Sequence, residues 1–219
     1  NNPINLDMRE AGAMVHVTFG INIVVDTSSR HSGLFCGEFD KAWQASCSYV
    51  QKGYGLPIDY QADVVIASCG GFPKDLNFYQ STKTLFNASR AVKEGGTLIM
   101  LAECPEGSGS RDFFDWIKPL SKGCLDEALR ASFTIGGYIF YAACESIRRS
   151  KTLLLSSMEP ELVRDMGVRS FKDMKDLLAE VDFNGKDVYV IPYGGSVLPQ
   201  TKEAYERICR EAEENGGAK

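Results

Sequence analysis

With 219 residues, 44% of them apolar, the chain can bury a sizeable core as one large domain, which sets aside a disordered or fibrous protein. Its 29 acidic and 24 basic residues leave a net charge of −5 with no long single-sign block, so nothing marks a nucleic-acid partner. No apolar stretch is long enough to span a bilayer, and the opening NNPINLDMREAG has neither the basic start nor the apolar middle of a signal peptide, so the expected location is cytoplasmic with no membrane partner.

In chain order, Ile4 to Gly12 reads as a short helix that Asn5 can cap, with Asp7 and Glu10 in its first turns. FGINIVVDTSSR reads as a strand whose nearly continuous apolar run, Ile21, Ile23, Val24 and Val25, suits a strand covered on both faces. RHSGLFCGEF looks like a tight return bringing a second short strand. Residues 38 to 52 space Phe39, Ala42, Trp43, Cys47 and Val50 at helical intervals, with Gly53 and Gly55 closing the helix. A strand follows at ADVVIAS (62 to 68), then a helix from about Asn77 to Val92, then a strand from Leu98 to Ala102, with Gly95 and Gly96 stopping the helix between them.

Strand, helix and strand within about forty residues make a βαβ unit, which requires a parallel sheet and a crossover. A further round predicts a helix over Gly137 to Arg149 and a strand over Thr152 to Ser156. DVYVIPYGGSVLP adds a strand ended by Pro192 and the Gly194-Gly195 pair, and a charged helix runs from about Gln200 to Glu214. The expected fold class is therefore α/β, a mostly parallel sheet with helices on both faces in a Rossmann-like three-layer sandwich, as one domain over 1–219 with a frayed tail at 212–219.

In an open parallel sheet, ligands sit beyond the carboxyl ends of the strands, where loops and helix amino termini converge. Four polar, glycine-bearing stretches fall there: SCGGFPKD, AECPEGSGSRD, SSMEPE and PYGGSVLP. Each also reads as an ordinary turn, with Pro73 and Pro105 placed where helices begin. EGSGSRD contains Gly-x-Gly but no Gly-x-Gly-x-x-Gly, and it follows a later strand, so a nicotinamide site is not expected.

The stretch GGFPKDLNFYQSTK gathers the most chemistry. Asp75 or Asn77 can cap the helix that follows. Gln80 and Lys83, three apart, share a helix face one turn in, with Tyr79 and Thr82 flanking them. A lysine near the positive end of a helix favours a compensating anion, and a bound carboxylate suits Lys83 as charge partner and Gln80 as donor. A lysine pointing into water has the same sequence signature.

The seven cysteines, Cys36, Cys47, Cys69, Cys104, Cys124, Cys144 and Cys209, are scattered, odd in number and form no Cys-x-x-Cys pair, so they read as small buried hydrophobes rather than a disulfide framework. With only His16 and His31, a metal site built from this chain alone lacks its commonest ligand.

ADVVIASCGGFPKDLNFYQSTKTLFNASRAVKEGGTLIMLAECPEGSGS resembles the carboxyl-terminal domain of the nickel-dependent lactate racemase family, which carries Gly-Gly-x-Pro-x-Asp-x-Asn-x-Tyr-Gln-x-x-Lys and a later Glu-Gly-x-Gly. NNPINLDMREAG, INIVVDTSSRHSGLFCGEFDKAW and VYVIPYGGSVLP extend the likeness over nearly the whole chain. The resemblance implies a two-lobe racemase or epimerase of a 2-hydroxy acid. The amino-terminal lobe, absent here, would hold a nickel pincer nucleotide and the acid and base histidines, and hydride would pass to and from the cofactor pyridinium.

On that resemblance this chain is the carboxyl-terminal, substrate-side lobe, expected to be inactive alone, with no catalytic residue and no metal or cofactor of its own. Gln80 and Lys83 are implied to contact the small 2-hydroxy carboxylate, while Gly70, Gly71, Pro73, Lys74, Asp75, Asn77 and Tyr79 shape the cleft. His16 and His31 match no catalytic histidine. One departure is the apolar, aromatic GGYIFYAAC at the start of the 137–149 helix, where many members carry a basic or histidine-bearing stretch. A non-catalytic module that holds a small anion, and an unrelated nucleotide-binding α/β domain, are the alternatives.

Overall fold

The computed structural model describes residues 3–26, 28 and 30–216, with side chains through Ala212. The asparagine pair at the opening and the tail residues 217–219 lie outside them. The chain folds as two compact units, one made of residues 1–55 with 204–219, the other of residues 56–203.

The first unit begins with helix α1 (Pro3–Ala13), in which Asn5 lies inside the helix rather than at its cap, because the helix already begins at Pro3. Strands β1 (Gly20–Val25) and β2 (His31–Gly37) form an antiparallel hairpin with Ile21 opposite Cys36 and Ile23 opposite Leu34. The expectation that β1 is covered on both faces fails: Val24 is buried, but Ile21, Ile23 and Val25 are exposed. An apolar run marks a strand covered on both faces only when the sheet is sandwiched, and among the described residues this one is packed by a helix on one face. That helix is α2 (Phe39–Tyr54), whose amino terminus is capped by the Glu38 carboxylate accepting from the backbone N–H of Asp40 and Lys41 at 3.1 and 3.0 Å. Gly53 falls inside α2, and Gly55 alone closes it. Phe35 and Tyr49 pack ring to ring at 5.4 Å, and the Tyr49 hydroxyl donates to the Ser32 carbonyl at 2.6 Å, tying α2 to the hairpin.

The second unit opens with the short strand β3 (Gly55–Ile58), followed by β4 (Ala62–Ser68), α3 (Phe78–Ala88) and β5 (Val92–Leu101). Helix α3 ends four residues before the predicted limit, because the chain turns at Ser89 and Arg90 to start β5. Gly95 and Gly96 therefore lie within β5 and stop no helix. Pairing jumps from Ala62 opposite Val92 to Val64 opposite Thr97, so residues 93–96 bulge out of the ladder, with Gly95 at φ +74°. Three short helices follow, α4 (Arg111–Phe114), α5 (Ile117–Ser121) and α6 (Leu125–Ala131), then α7 (Ile135–Arg148) and β6 (Lys151–Leu155). After α8 (Glu161–Arg164), β7 (Arg169–Phe171), α9 (Met174–Ala179) and β8 (Val188–Ile191), a 3-10 turn at Gly194–Ser196 leads to β9 (Leu198–Thr201) and then to α10 (Lys202–Gly216), most of which belongs to the first unit.

Strands β7, β6, β5, β4 and β8 stand side by side in that order, all parallel, while β3 pairs with β9 in a separate two-stranded sheet. Alternate residues of the parallel strands feed two cores, as strand geometry requires. On one face Val65, Ala67, Leu98, Met100 and Leu154 pack with Phe78 and Leu85 of α3 and Phe140, Ala143 and Ile147 of α7. On the other, Val64, Ile99 and Leu153 meet Leu177 of α9. Helices thus cover both faces, the expected α/β sandwich.

Phe140 is wholly buried and meets Phe113 edge to face at 5.2 Å, and Phe113 in turn meets Phe78 and Tyr79. This ring cluster joins α3, α4 and α7, each contact adding ~0.5–1.5 kcal/mol beyond the area it buries. Phe140→Ala is expected to lower unfolding stability by ~3–5 kcal/mol in chemical denaturation, more than any exposed aromatic substitution.

Candidate functional site

Because β4, β5, β6 and β8 run the same way, the four loops singled out in the sequence all leave the same rim of the sheet. Hydrogen bonds stitch them to one another. The Asp75 carboxylate accepts from the Glu103 N–H at 3.3 Å, the Cys104 N–H donates to the Asp75 carbonyl at 2.9 Å, and the Glu106 N–H donates to the Leu76 carbonyl at 3.0 Å. The Glu103 carbonyl accepts three times from the next loop: from both the Ser156 and Ser157 hydroxyls at 2.9 Å and from the Ser157 N–H at 3.1 Å. On the other side the Lys74 ammonium donates to the Ser196 hydroxyl, and the Asn87 amide donates to the Gly194 carbonyl at 2.9 Å.

Within this frame the segment 70–83 divides by role. Gly70 and Gly71 take φ of 87° and 79°, and a side chain on Gly70 would run into the Tyr193 ring 2.9 Å away, so the strand-to-helix turn needs glycine there. The Phe72–Pro73 peptide is cis, and Pro73 is exposed. Pro73 and Pro105 do not begin helices. Each sits in a turn that closes before α3 or α4 starts, because the glycines around them bend the chain first.

Asn77, nearly buried, is the cap: its carbonyl oxygen accepts from the Gln80 N–H at 3.0 Å and its amide donates to Glu106 at 3.4 Å. Asp75 is left to hold the neighbouring loop. Tyr79 turns its ring against Phe113 at 5.4 Å, and Thr82 is buried with its hydroxyl donating to the Tyr79 carbonyl, so Thr82 does not flank the Gln80–Lys83 face.

Gln80 is half-buried and Lys83 exposed, one turn apart on α3, and the Lys83 ammonium donates to the Gln80 side-chain oxygen at 2.9 Å. That bond fixes the chemistry of the pair. It takes one of the two lone pairs of the glutamine oxygen and leaves both its amide N–H donors and two of the three ammonium protons beside each other. Among the described residues no carboxylate pairs with Lys83. A carboxylate ligand has two oxygens and matches such a donor-rich surface.

The residues missed in sequence are mostly hydroxyls and carbonyls that position others: Ser156, Ser157, Ser196 and the Glu103 main chain. SSMEPE and PYGGSVLP located the loops, but side-chain to main-chain bonds between distant loops carry no periodic signal. The apolar start of α7 also has a structural role. A side chain on Gly137 would overlap the Trp116 indole, at 2.3 Å, so the glycine lets Trp116 lie against α7. The Thr134 hydroxyl caps α7 by accepting from the Gly137 N–H at 3.0 Å. Phe140 goes into the core and Tyr138 remains partly exposed.

The cysteines divide. Cys69, Cys104 and Cys144 are buried as expected, whereas Cys36 and Cys47 are exposed. Burial raises the Cys69 thiol and pushes Cys104 up to about 11 and Cys144 up to about 12, and the Ser81 hydroxyl lies 3.6 Å from the Cys104 sulfur. These thiols are too poorly ionised to act as nucleophiles at neutral pH. His16 and His31 are both exposed in the first unit. Among the described residues no three His, Cys, Asp or Glu side chains gather as a metal-ligand set, and no helix is long and apolar enough to cross a membrane.

An open parallel sheet with a polar, interlocked rim and a donor-rich Gln–Lys pair on the helix that follows β4 defines an α/β domain whose loops gather at the strand ends, where open parallel sheets in general bind ligands. The model of the lactate racemase C-terminal domain matches residues 58–198, and the chain belongs to that family. It is 32% identical over 216 residues to a lactate racemase of Thermoanaerobacterium thermosaccharolyticum, covering 92% of this chain and 49% of that protein. It is also 33% identical over 131 residues to a lactate racemase of Lactiplantibacillus plantarum, covering 59% and 31%. The structure of the lactate racemase apoprotein from T. thermosaccharolyticum superposes with a TM-score of 0.81 at 30% identity, over 91% of this chain and 50% of the other. A Thermotoga maritima protein shares the fold at 16% identity and a TM-score of 0.66, over 92% and 54%. The chain spans about half the length of the T. thermosaccharolyticum racemase.

The raised thiols give a pH dependence with a definite sign. Cys144 in the folded chain keeps its proton up to about 12, while an unfolded thiol loses it near the usual 9.0. The folded state therefore binds more protons across that interval, and the stabilisation, complete below pH 9, is lost as pH rises towards 12. Urea denaturation from pH 8 upward is expected to show a shallower alkaline decline for Cys144→Ala than for the parent. Parallel declines would mean that burial does not raise this thiol above its unfolded value.

Proposed function

We propose that this chain is the substrate-side part of a racemase or epimerase of a 2-hydroxy acid, lactate or a close relative, acting in the cytoplasm. On this reading Gln80 and Lys83 hold the substrate carboxylate, while Gly70, Gly71, Pro73, Lys74, Asp75, Asn77 and Tyr79 shape the wall behind it. The observation that carries the reading is the 2.9 Å bond from Lys83 to the Gln80 oxygen, which sets the free amide and ammonium donors side by side. Membership of the lactate racemase C-terminal family supports the same substrate class.

On this reading a nickel pincer nucleotide held by the amino-terminal lobe would supply the hydride chemistry at the substrate's α-carbon. This chain's described residues do not fit a metal centre, having no clustered ligand set. Their own contribution is binding and orientation. The Lys83 ammonium balances the carboxylate charge, and the Gln80 amide fixes the plane of the carboxylate through a directional N–H bond, which limits how the α-carbon can turn. Asn77 holds the first turn of α3, and therefore Gln80, in register with the Glu106 loop.

In the full-length, cofactor-loaded protein, Lys83→Ala is expected to reduce kcat/KM by on the order of ten- to a hundredfold, the loss of one charged hydrogen bond to substrate. Lys74→Ala should cost less, because that ammonium is engaged by Ser196 within the rim. Equal and negligible effects in steady-state racemisation assays on 2-hydroxy acids would return Lys83 to the solvated surface. The 219 residues alone are expected neither to racemise lactate nor to retain nickel. Stoichiometric nickel in the purified chain, by metal analysis, would place the cofactor on this half.

A further inference from the structure

The β1–β2 hairpin has two unlike faces. Val24 and Phe35 point towards α2, but the opposite face carries Ile21, Ile23, Val25 and Leu34, which are 64%, 52%, 52% and 67% exposed. The register places Ile21 beside Cys36 and Ile23 beside Leu34, so these side chains form one continuous apolar surface rather than scattered residues. Among the described residues neither outer edge of this two-stranded sheet has a strand partner. Helix α1, in the same unit, buries none of its residues. A two-stranded sheet depends on packing for its stability, here on α2 at one face, and a contiguous apolar face left open on the other marks a contact surface.

Two further facts say what covers it. The family model matches residues 58–198, within the second unit, so the hairpin unit stands outside the carboxyl-terminal domain proper. The T. thermosaccharolyticum racemase aligns with 92% of this chain, and slightly more than half of its own length has no counterpart here. We infer that the outer face of the hairpin is an incomplete core, and that in the full-length protein it is covered by the amino-terminal lobe, through apolar packing on Ile21, Ile23 and Leu34 and strand addition at a free edge. The domain boundary on this inference falls near Gly55, with residues before it belonging structurally to the other lobe. The inference rests on the proposed two-lobe reading.

Cys36 lies on this face and is a built-in reporter. Maleimide labelling of the full-length protein, followed by peptide mapping, is compared in buffer and in denaturing urea, at a concentration where sedimentation shows a monomer. Cover by the other lobe slows Cys36 labelling in buffer by at least about a hundredfold, since a covered thiol reacts only through opening of the structure. Labelling within a few-fold of the unfolded rate overturns the inference, because the face is then open as in the isolated chain. Protection that exists only in a dimer and disappears on dilution also overturns it, assigning the face to a second copy. So does a gene that encodes no further lobe. Racemisation does not enter the readout, so a failed Lys83 assignment leaves this result intact, and an unprotected Cys36 leaves that assignment intact.

Discussion

The common direction of β4, β5, β6 and β8 is the constraint on which the second unit depends. A parallel pair cannot close through a tight turn, so each strand must be followed by a crossover, and every crossover begins at the same edge of the sheet. That single requirement stacks the glycine-rich stretch after β4, the Glu103–Gly109 loop, the Ser156–Ser157 loop and the Tyr193–Ser196 turn on one rim. It also obliges the strands to be apolar on both faces, which Val64 with Val65 and Leu153 with Leu154 satisfy by feeding opposite cores.

The rim separates scaffolding from contact. Residues 70–77 spend their polar groups on neighbouring loops: Asp75 on Glu103, Lys74 on Ser196, Asn77 on both Gln80 and Glu106. Among the described residues, the side chains of Gln80 and Lys83 are hydrogen-bonded only to each other. A pair supported at its backbone yet unspent at its donors is suited to recognition, because the ordering of the helix turn precedes any ligand. The aromatic cluster of Phe78, Phe113 and Phe140 lies directly under that turn and links it to α7.

Much of this was legible in the sequence, for reasons that can be traced to particular residues. ADVVIAS gives the bounds of β4 because a buried parallel strand is apolar without interruption, and Asn77 announces the start of α3 because a cap needs a short side-chain acceptor. Strands β3, β7 and β9 escape notice because three or four residues are too few to show alternation. The short helices between β5 and α7 are hidden for the same reason. Ile21, Ile23 and Val25 mislead because an apolar run reports what a strand is made to contact, and the sequence does not say whether that contact is supplied by the same 219 residues. The Gln–Lys pair was visible by spacing alone, but the bond that sets its free donors side by side was not.

The threefold use of the Glu103 carbonyl has a consequence for how the rim responds to its medium. All three donors that meet there, two hydroxyls and a backbone N–H, are uncharged. Added electrolyte screens attraction between exposed charges but leaves such neutral bonds nearly untouched. The junction at the Glu103 carbonyl is therefore set independently of ionic strength, while any anion held by the exposed Lys83 is not. Salt becomes a means of loosening what the surface holds while that junction stays in place.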